Sequence, residues 1–259
     1  MPQEKTEQGK RVAVVTGAAM GIGAEVSARL CAIGMTVVLA DMNEKAAIET
    51  AGQLKNLGGQ AYVQIMDVSQ AESISAAFTA IDHRFGRCDV LVNCAGIAKV
   101  FPFLEFPLDN FVATMNVNVT GTLLCAQYAA RLMVRHQWGR IVNIASVAGM
   151  RAVGSGRTAY GTSKGAVIAL TRQMAVELAE HGITANAVCP GPIDTPMTRV
   201  LHTDQFRKEY SKAIPMDRYG TTAEVAAAVM YLVSDDAGYV TGTAMPVDGG
   251  FLASGARGI

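Results

Sequence analysis

Arg11-Val-Ala-Val-Val-Thr16 runs directly into Gly17-Ala-Ala-Met20-Gly21-Ile22-Gly23, and this junction decides the fold. The first stretch is apolar and largely β-branched, the composition of a buried strand. Helical periodicity follows from Ala24 to Ile33. Strand, glycine loop and helix in that order set backbone N–H groups and a helix N-terminus against a pyrophosphate. Gly17 permits the tight turn. Gly21 and Gly23, with Met20 and Ile22 beside them, let backbone approach the phosphates and helix approach the sheet. The plain alternative is a glycine-rich turn that binds nothing.

Moving outward, residues 35–40 form a second strand that ends at Asp41, about twenty residues past the glycine loop. A carboxylate there accepts hydrogen bonds from the adenosine ribose hydroxyls and repels a 2′-phosphate. No Lys or Arg occupies 18–20 or 42–43, so the cofactor expected is NAD rather than NADP. The alternative role for Asp41 is to cap the helix that begins near Asn43. Residues 44–57 and 71–85 read as helices, and 60–66 and 89–93 as strands. The third strand ends in Asp67-Val68, where an adenine edge can be held. The fourth ends in Asn93 and is followed by Cys94-Ala95-Gly96.

Further on, residues 108–136 read as one long helical stretch containing Asn116 and Asn118. A fifth strand over 138–146 ends at Ser146, and a helix over 158–180 carries Tyr160 and Lys164. A sixth strand over 183–188 is closed by Cys189-Pro190-Gly191-Pro192. A polar segment, about 194–215, reads as an insertion covering the site, and a last helix and short strand follow. The alternation of strand and helix implies an α/β chain with a parallel sheet covered on both faces, as one domain over 1–259.

Residues four apart share a helix face, so the Lys164 ammonium is placed beside the Tyr160 phenol. A free tyrosine titrates near pH ~10, and a neighbouring cation favours the phenolate. That makes Tyr160 a general acid/base for proton exchange with an alcohol or ketone oxygen.

The 259 residues carry 22 basic and 22 acidic side chains, which gives no general attraction for nucleic acid or anionic lipid. Residues 1–10 are polar and do not read as a secretory signal, and no run approaches the ~18 apolar residues of a membrane helix. The five cysteines are scattered without metal-ligand spacing, so no metal is expected. They read as reduced thiols of a cytoplasmic protein.

Taken together, Thr16-Gly17-x-x-x-Gly21-x-Gly23, Asn93-x-Ala95-Gly96, Asn118, Ser146, Tyr160-x-x-x-Lys164 and Pro190-Gly191 resemble the short-chain dehydrogenase/reductase family. The resemblance spans Val12 to Gly250. It implies a doubly wound Rossmann fold, a seven-stranded parallel sheet in the order 3-2-1-4-5-6-7, and a homotetramer. It also implies roles. Tyr160 exchanges the hydroxyl proton, Ser146 hydrogen-bonds the substrate oxygen, and Lys164 holds the nicotinamide ribose and lowers the Tyr160 pKa. Asn118 anchors a proton-relaying water. The backbone of Ile193 and the hydroxyl of Thr195 grip the carboxamide. Cys94 departs from the family's usual Asn, an expected change of local packing rather than of catalysis. Asn116 is expected to be an ordinary helix-face or partner-contacting amide.

At the substrate end, Arg151, Arg157, Arg199 and His202 are candidates for binding an anionic or polyhydroxylated substrate, since arginine grips carboxylates, phosphates and sulfonates through paired hydrogen bonds. A solvated arginine and a surface histidine are the alternatives. The function expected is NAD-dependent interconversion of a secondary alcohol (polyol, sugar or hydroxy acid) with its ketone or lactone. The rivals are a 3-oxoacyl-thioester reductase and a non-catalytic NAD-binding module. The short stretch after Gly250 leaves no room for the larger C-terminal domain of isomerase and dehydratase relatives.

Overall fold

The computed structural model describes residues 10–254. Seven parallel strands form one sheet in the order β3-β2-β1-β4-β5-β6-β7. They are β1 (Val12–Thr16), β2 (Thr36–Asp41), β3 (Gln60–Ile65), β4 (Val90–Asn93), β5 (Gly139–Ile144), β6 (Ile183–Pro190) and β7 (Ala244–Val247). This is the doubly wound order expected.

Side chains alternate across a strand, and both faces of this sheet are covered, so β1 is apolar at nearly every position. Ala13 and Val15 pack with α1 (Gly21–Ala32), α2 (Glu44–Asn56) and α9 (Thr222–Val233). Val12 and Val14 pack on the other side with α3 (Ala71–Phe85), α5 (Gly121–Val134) and α6 (Thr158–Leu178). Strand β1 pairs with β2 on one side and β4 on the other. The chain therefore reverses direction there, and the loops leaving the carboxyl ends of β1 and β4 open a crevice. The Thr16 hydroxyl ties the two loops, accepting from the amides of Cys94 and Ala95 at 3.1 Å each.

Two stretches differ from expectation. Residues 108–136 are not one uniform helix: α4 (Leu108–Met115) and α5 are joined by a π-helical turn, Asn116–Thr120. The polar segment at 194–215 is itself helical, as α7 (Pro196–Leu201) and α8 (Asp204–Lys212). Each has a hydroxyl cap, Thr195 accepting from the Thr198 amide and Thr203 from the Phe206 amide. Such caps satisfy helix-end donors and turn a polar sequence into short helices. Among the described residues no helix is long and apolar enough to cross a membrane.

Candidate active site

A cleft of about 370 Å³ opens at the carboxyl ends of the strands, lined by Gly17, Asp41, Gly96, Ser146, Tyr160 and Lys164 among others. On one wall, Gly17 has φ +63° and lies so close to the β4 loop that a Cβ would stand 2.9 Å from Ala95 backbone. At Gly23 a Cβ would meet the Gly17 carbonyl at 2.2 Å, so helix α1 can seat on its own loop only because both are glycine. Helix α1 begins at Gly21, three residues earlier than its periodicity suggested, because the loop's last turn is already helical. Its N-terminus has no side-chain cap and no acid in its first turn. Uncapped amides facing a cleft of this size, with Gly21 (φ +60°) opposite Thr195 and Pro196, fit the diphosphate of a dinucleotide.

Asp41 borders the cleft with Met42, Met66, Asp67 and Val68. Its carboxylate accepts from the amides of Ala19 and Asn43, both at 2.9 Å. Helix α2 is capped instead by Asn43, whose side chain accepts from Ala46. Further along, Met20, Ile22, Ala95, Pro190, Gly191, Ile193 and Thr195 also line the cleft. Asn93 does not. It lies beneath the floor, its amide donating to Asn143 Oδ1 at 2.9 Å, while Asn143 in turn donates to the Thr171 hydroxyl at 2.9 Å. It ties β4 to β5.

Ser146, Tyr160 and Lys164 come together on the opposite wall. Ser146 is buried and accepts from the Ala148 amide at 3.1 Å. The Lys164 ammonium lies 5.7 Å from the centre of the Tyr160 ring and donates to the Ile144 carbonyl at 2.7 Å. Burial lowers the Lys164 pKa to about 8. The Tyr160 pKa moves upward, against expectation. Burial dominates, and the charges and hydrogen bonds that pull it down come from Ser146 and Arg157 rather than from Lys164. The lysine spends its ammonium on a carbonyl of β5 instead.

The π-helical turn separates the two asparagines. Asn118 is 1% exposed and chelates Ile97, accepting from its amide at 2.9 Å and donating to its carbonyl at 3.0 Å. It also donates to the Ser163 hydroxyl at 2.9 Å, which donates to the Tyr160 carbonyl at 2.8 Å. Asn118 is thus coupled to the helix bearing Tyr160. Asn116 faces another way and donates to the Ser69 carbonyl at 2.9 Å, an intrachain tie.

The four substrate-end candidates divide. Arg199 pairs with Asp194, at 3.1 and 3.0 Å, and its side chain is exposed. Arg151 lies over the Phe251 ring, 5.0 Å from its centre. Arg157 and His202 meet each other, Nη2 to Nε2 at 2.8 Å. His202 is not a surface histidine: it is 7% exposed, with Nδ1 2.9 Å from the Tyr219 hydroxyl and Phe206, Tyr210 and Tyr219 around it. Burial, then the charges of Arg157 and Arg207, lower its pKa to about 4.

The sequence reading did not single out Thr198, whose hydroxyl donates to the Ile193 carbonyl at 2.6 Å and meets the Thr195 amide at 3.0 Å. A threonine three past another is the signal of a reciprocal cap, and it was legible. Met66, Ile97 and Val117 also line the cleft, but nothing local in the sequence marks an apolar wall residue. Among the described residues, no group of three His, Cys, Asp or Glu side chains is placed to hold a metal ion.

Residues 17–252 match the family model described as enoyl-(acyl carrier protein) reductase. This range contains the glycine loop and the Ser146, Tyr160 and Lys164 wall. The chain belongs to the short-chain dehydrogenase/reductase family. It is 39% identical to the short-chain reductase protein NovJ of Streptomyces niveus, over 92% of this chain and 93% of that protein. It is 38% identical to the 3-oxoacyl-[acyl-carrier-protein] reductase FabG of Aquifex aeolicus, over 95% of this chain and 98% of the other. Among solved structures, a gluconate 5-dehydrogenase from Burkholderia cenocepacia, in complex with NADP and tartrate, superposes with a TM-score of 0.90. It is 33% identical and covers 95% of this chain and 96% of its own. This family member is therefore an oxidoreductase whose fold binds a nicotinamide cofactor.

Proposed function

We propose that this short-chain dehydrogenase/reductase is an NAD-dependent oxidoreductase that interconverts a secondary alcohol (a polyol, sugar or hydroxy acid) and its ketone or lactone. The observation that carries this reading is the sharing of one cleft by Ser146, Tyr160 and Lys164 with the uncapped N-terminus of α1. In this reading Gly17, Met20, Gly21, Ile22, Asp41, Asp67, Val68, Ala95, Gly96, Pro190, Gly191, Ile193 and Thr195 hold the dinucleotide. The bound nicotinamide supplies the two-electron acceptor or donor.

The chain's own part is proton handling and orientation. Tyr160 takes the hydroxyl proton in oxidation and returns it in reduction. The Ser146 hydroxyl donates to the same oxygen as charge develops there. Lys164 binds the nicotinamide ribose. Asn118, through Ser163, positions the first turn of α6 and serves the proton path to solvent.

NAD is favoured because the carboxylate of Asp41, fixed by two backbone amides, borders the adenosine end of the cleft. A fluorescence titration with NADH and NADPH tests this. Tighter binding of NADPH would remove the assignment, and Asp41→Ser should relax the preference.

A second reading, reduction of 3-oxoacyl thioesters, is supported by the FabG relative of Aquifex aeolicus at 38% identity. A panel of alcohols, sugars and hydroxy acids, assayed beside an acetoacetyl thioester, separates the two. A homotetramer is part of the proposal, with exposed Leu108 and Val112 on α4 and Val176 on α6 available for subunit contact. Sedimentation as a monomer at micromolar concentration would remove it.

A further inference from the structure

Ile193, Thr195 and Thr198 line one stretch of the cleft together and share a set of hydrogen bonds. Ile193 forms an isolated parallel bridge with Gly220. The Asp194 amide donates to the Gly220 carbonyl and the Gly220 amide to the Pro192 carbonyl, both at 2.9 Å. Gly220 is thus bonded to the residues on either side of Ile193, so the amide and carbonyl of Ile193 itself point the other way. The carbonyl accepts from the Thr198 hydroxyl at 2.6 Å. The amide has no hydrogen-bond partner among the described residues.

Counting protons settles what the two threonines present. A threonine hydroxyl has one proton to give and two lone pairs. Thr198 gives its proton to the Ile193 carbonyl, the Thr195 carbonyl at 3.1 Å being the longer contact. One of its lone pairs accepts from the Thr195 amide at 3.0 Å. Where the two hydroxyls meet, at 3.2 Å, Thr198 can then only accept, and Thr195 is the donor. The Thr195 oxygen also accepts from the Thr198 amide at 3.2 Å. Its proton is spent and one lone pair is left. This part of the cleft therefore offers one donor, the Ile193 amide, and one acceptor, the Thr195 oxygen.

We propose that Thr198 is a positioning residue for the cofactor: by holding the Ile193 carbonyl and taking the Thr195 proton, it makes the cleft accept a carboxamide in one orientation. The carboxamide oxygen belongs to the Ile193 amide and the carboxamide amine to the Thr195 oxygen. Thr198 acts through these two groups, and the short helix α7 holds nothing by its N-terminus. The proposal rests on the reading in which Ile193 and Thr195 hold the dinucleotide. Its test needs no substrate, so the two can fail separately.

The test is titration calorimetry of the full chain with NAD and with 3-acetylpyridine adenine dinucleotide, in which a methyl group replaces the carboxamide amine. Wild type should bind NAD more tightly by about 3- to 10-fold, the range of one neutral hydrogen bond. Thr198→Val keeps the branched shape and loses the hydroxyl, which frees the Thr195 proton to turn into the cleft. The ratio should fall to within about twofold of unity. Thr198→Ser keeps the hydroxyl and should keep the ratio.

A ratio unchanged in Thr198→Val, with only the melting temperature lowered, would make Thr198 a helix cap and overturn the proposal. A ratio lost equally in Thr198→Ser would overturn it too, by assigning the effect to the methyl group. Equal binding of both dinucleotides by wild type would overturn it without recourse to any variant, and would leave the dehydrogenase reading standing. Binding of neither would remove both readings together.

Discussion

The glycine loop of the cleft and the segment carrying α7 and α8 are two walls made differently. The first is built from backbone, with glycines where a Cβ would stand 2.2 to 2.9 Å from neighbouring main chain at Gly23 and Gly17. The second stands outside the residues that line the cleft and is built from long side chains, with Arg157, His202, Tyr210 and Tyr219 making the contacts. A backbone wall tolerates nothing added, whereas in a side-chain wall each contact can be exchanged alone. Substitutions should therefore fail by addition on the first wall and by removal on the second.

The largest effect is expected between them, on the helix that carries Tyr160. Tyr160→Phe removes the proton-exchanging oxygen and should lower kcat by about 10²- to 10⁴-fold, with NADH affinity close to wild type by fluorescence. A binding module would be indifferent to this change.

Next, Gly23→Ala adds one methyl group against the Gly17 carbonyl at 2.2 Å, with rigid backbone on both sides. It should cost about 1–3 kcal/mol of stability in denaturant melts. It should weaken dinucleotide binding by displacing the start of α1. If Gly23→Ala is neutral while the side-chain wall is equally indifferent, the contrast between the walls fails.

A smaller effect comes from pH. The folded-state pKa of His202, about 4, lies below its ordinary 6.5. Its neutral form is thus favoured by folding, and the stability this gives is fully present above pH ~6.5. It is lost as pH falls from there through about 4. The melting temperature of wild type should drop over that window, and His202→Phe should flatten that part of the curve.

The smallest effect belongs to Arg199→Ala. Its pair with Asp194 is exposed and screened by solvent, so the melting temperature should hardly change and kinetic constants should not move.

Legibility in the sequence follows the same division. The glycine loop, Asp41 and the Tyr160–Lys164 pair could be read because their geometry is set by neighbours a few residues away. Strand order came from family resemblance, since periodicity shows that strands exist and not which ones pair. The tie of Asn93 to Asn143 leaves no local mark, because the two lie fifty residues apart. His202 looked superficial in a polar segment. Its burial depends on Phe206 and Tyr210 following at spacing four and on Tyr219 arriving from beyond α8. The direction of the Tyr160 shift was hidden because desolvation is a property of the whole fold and leaves no mark on a five-residue motif.

The π-helical turn at Asn116–Thr120 acts as a one-residue clutch between α4 and α5. Regular α-helical geometry over the same residues would make one uninterrupted rod of the two helices. Everything on the near side would then be spun by about 100° relative to the far side. Asn118 would leave Ile97 and Ser163, and the outward-facing Leu108 and Val112 would swing to a new bearing. One inserted residue therefore indexes the interior of the catalytic pocket and the outer skin of the molecule at once.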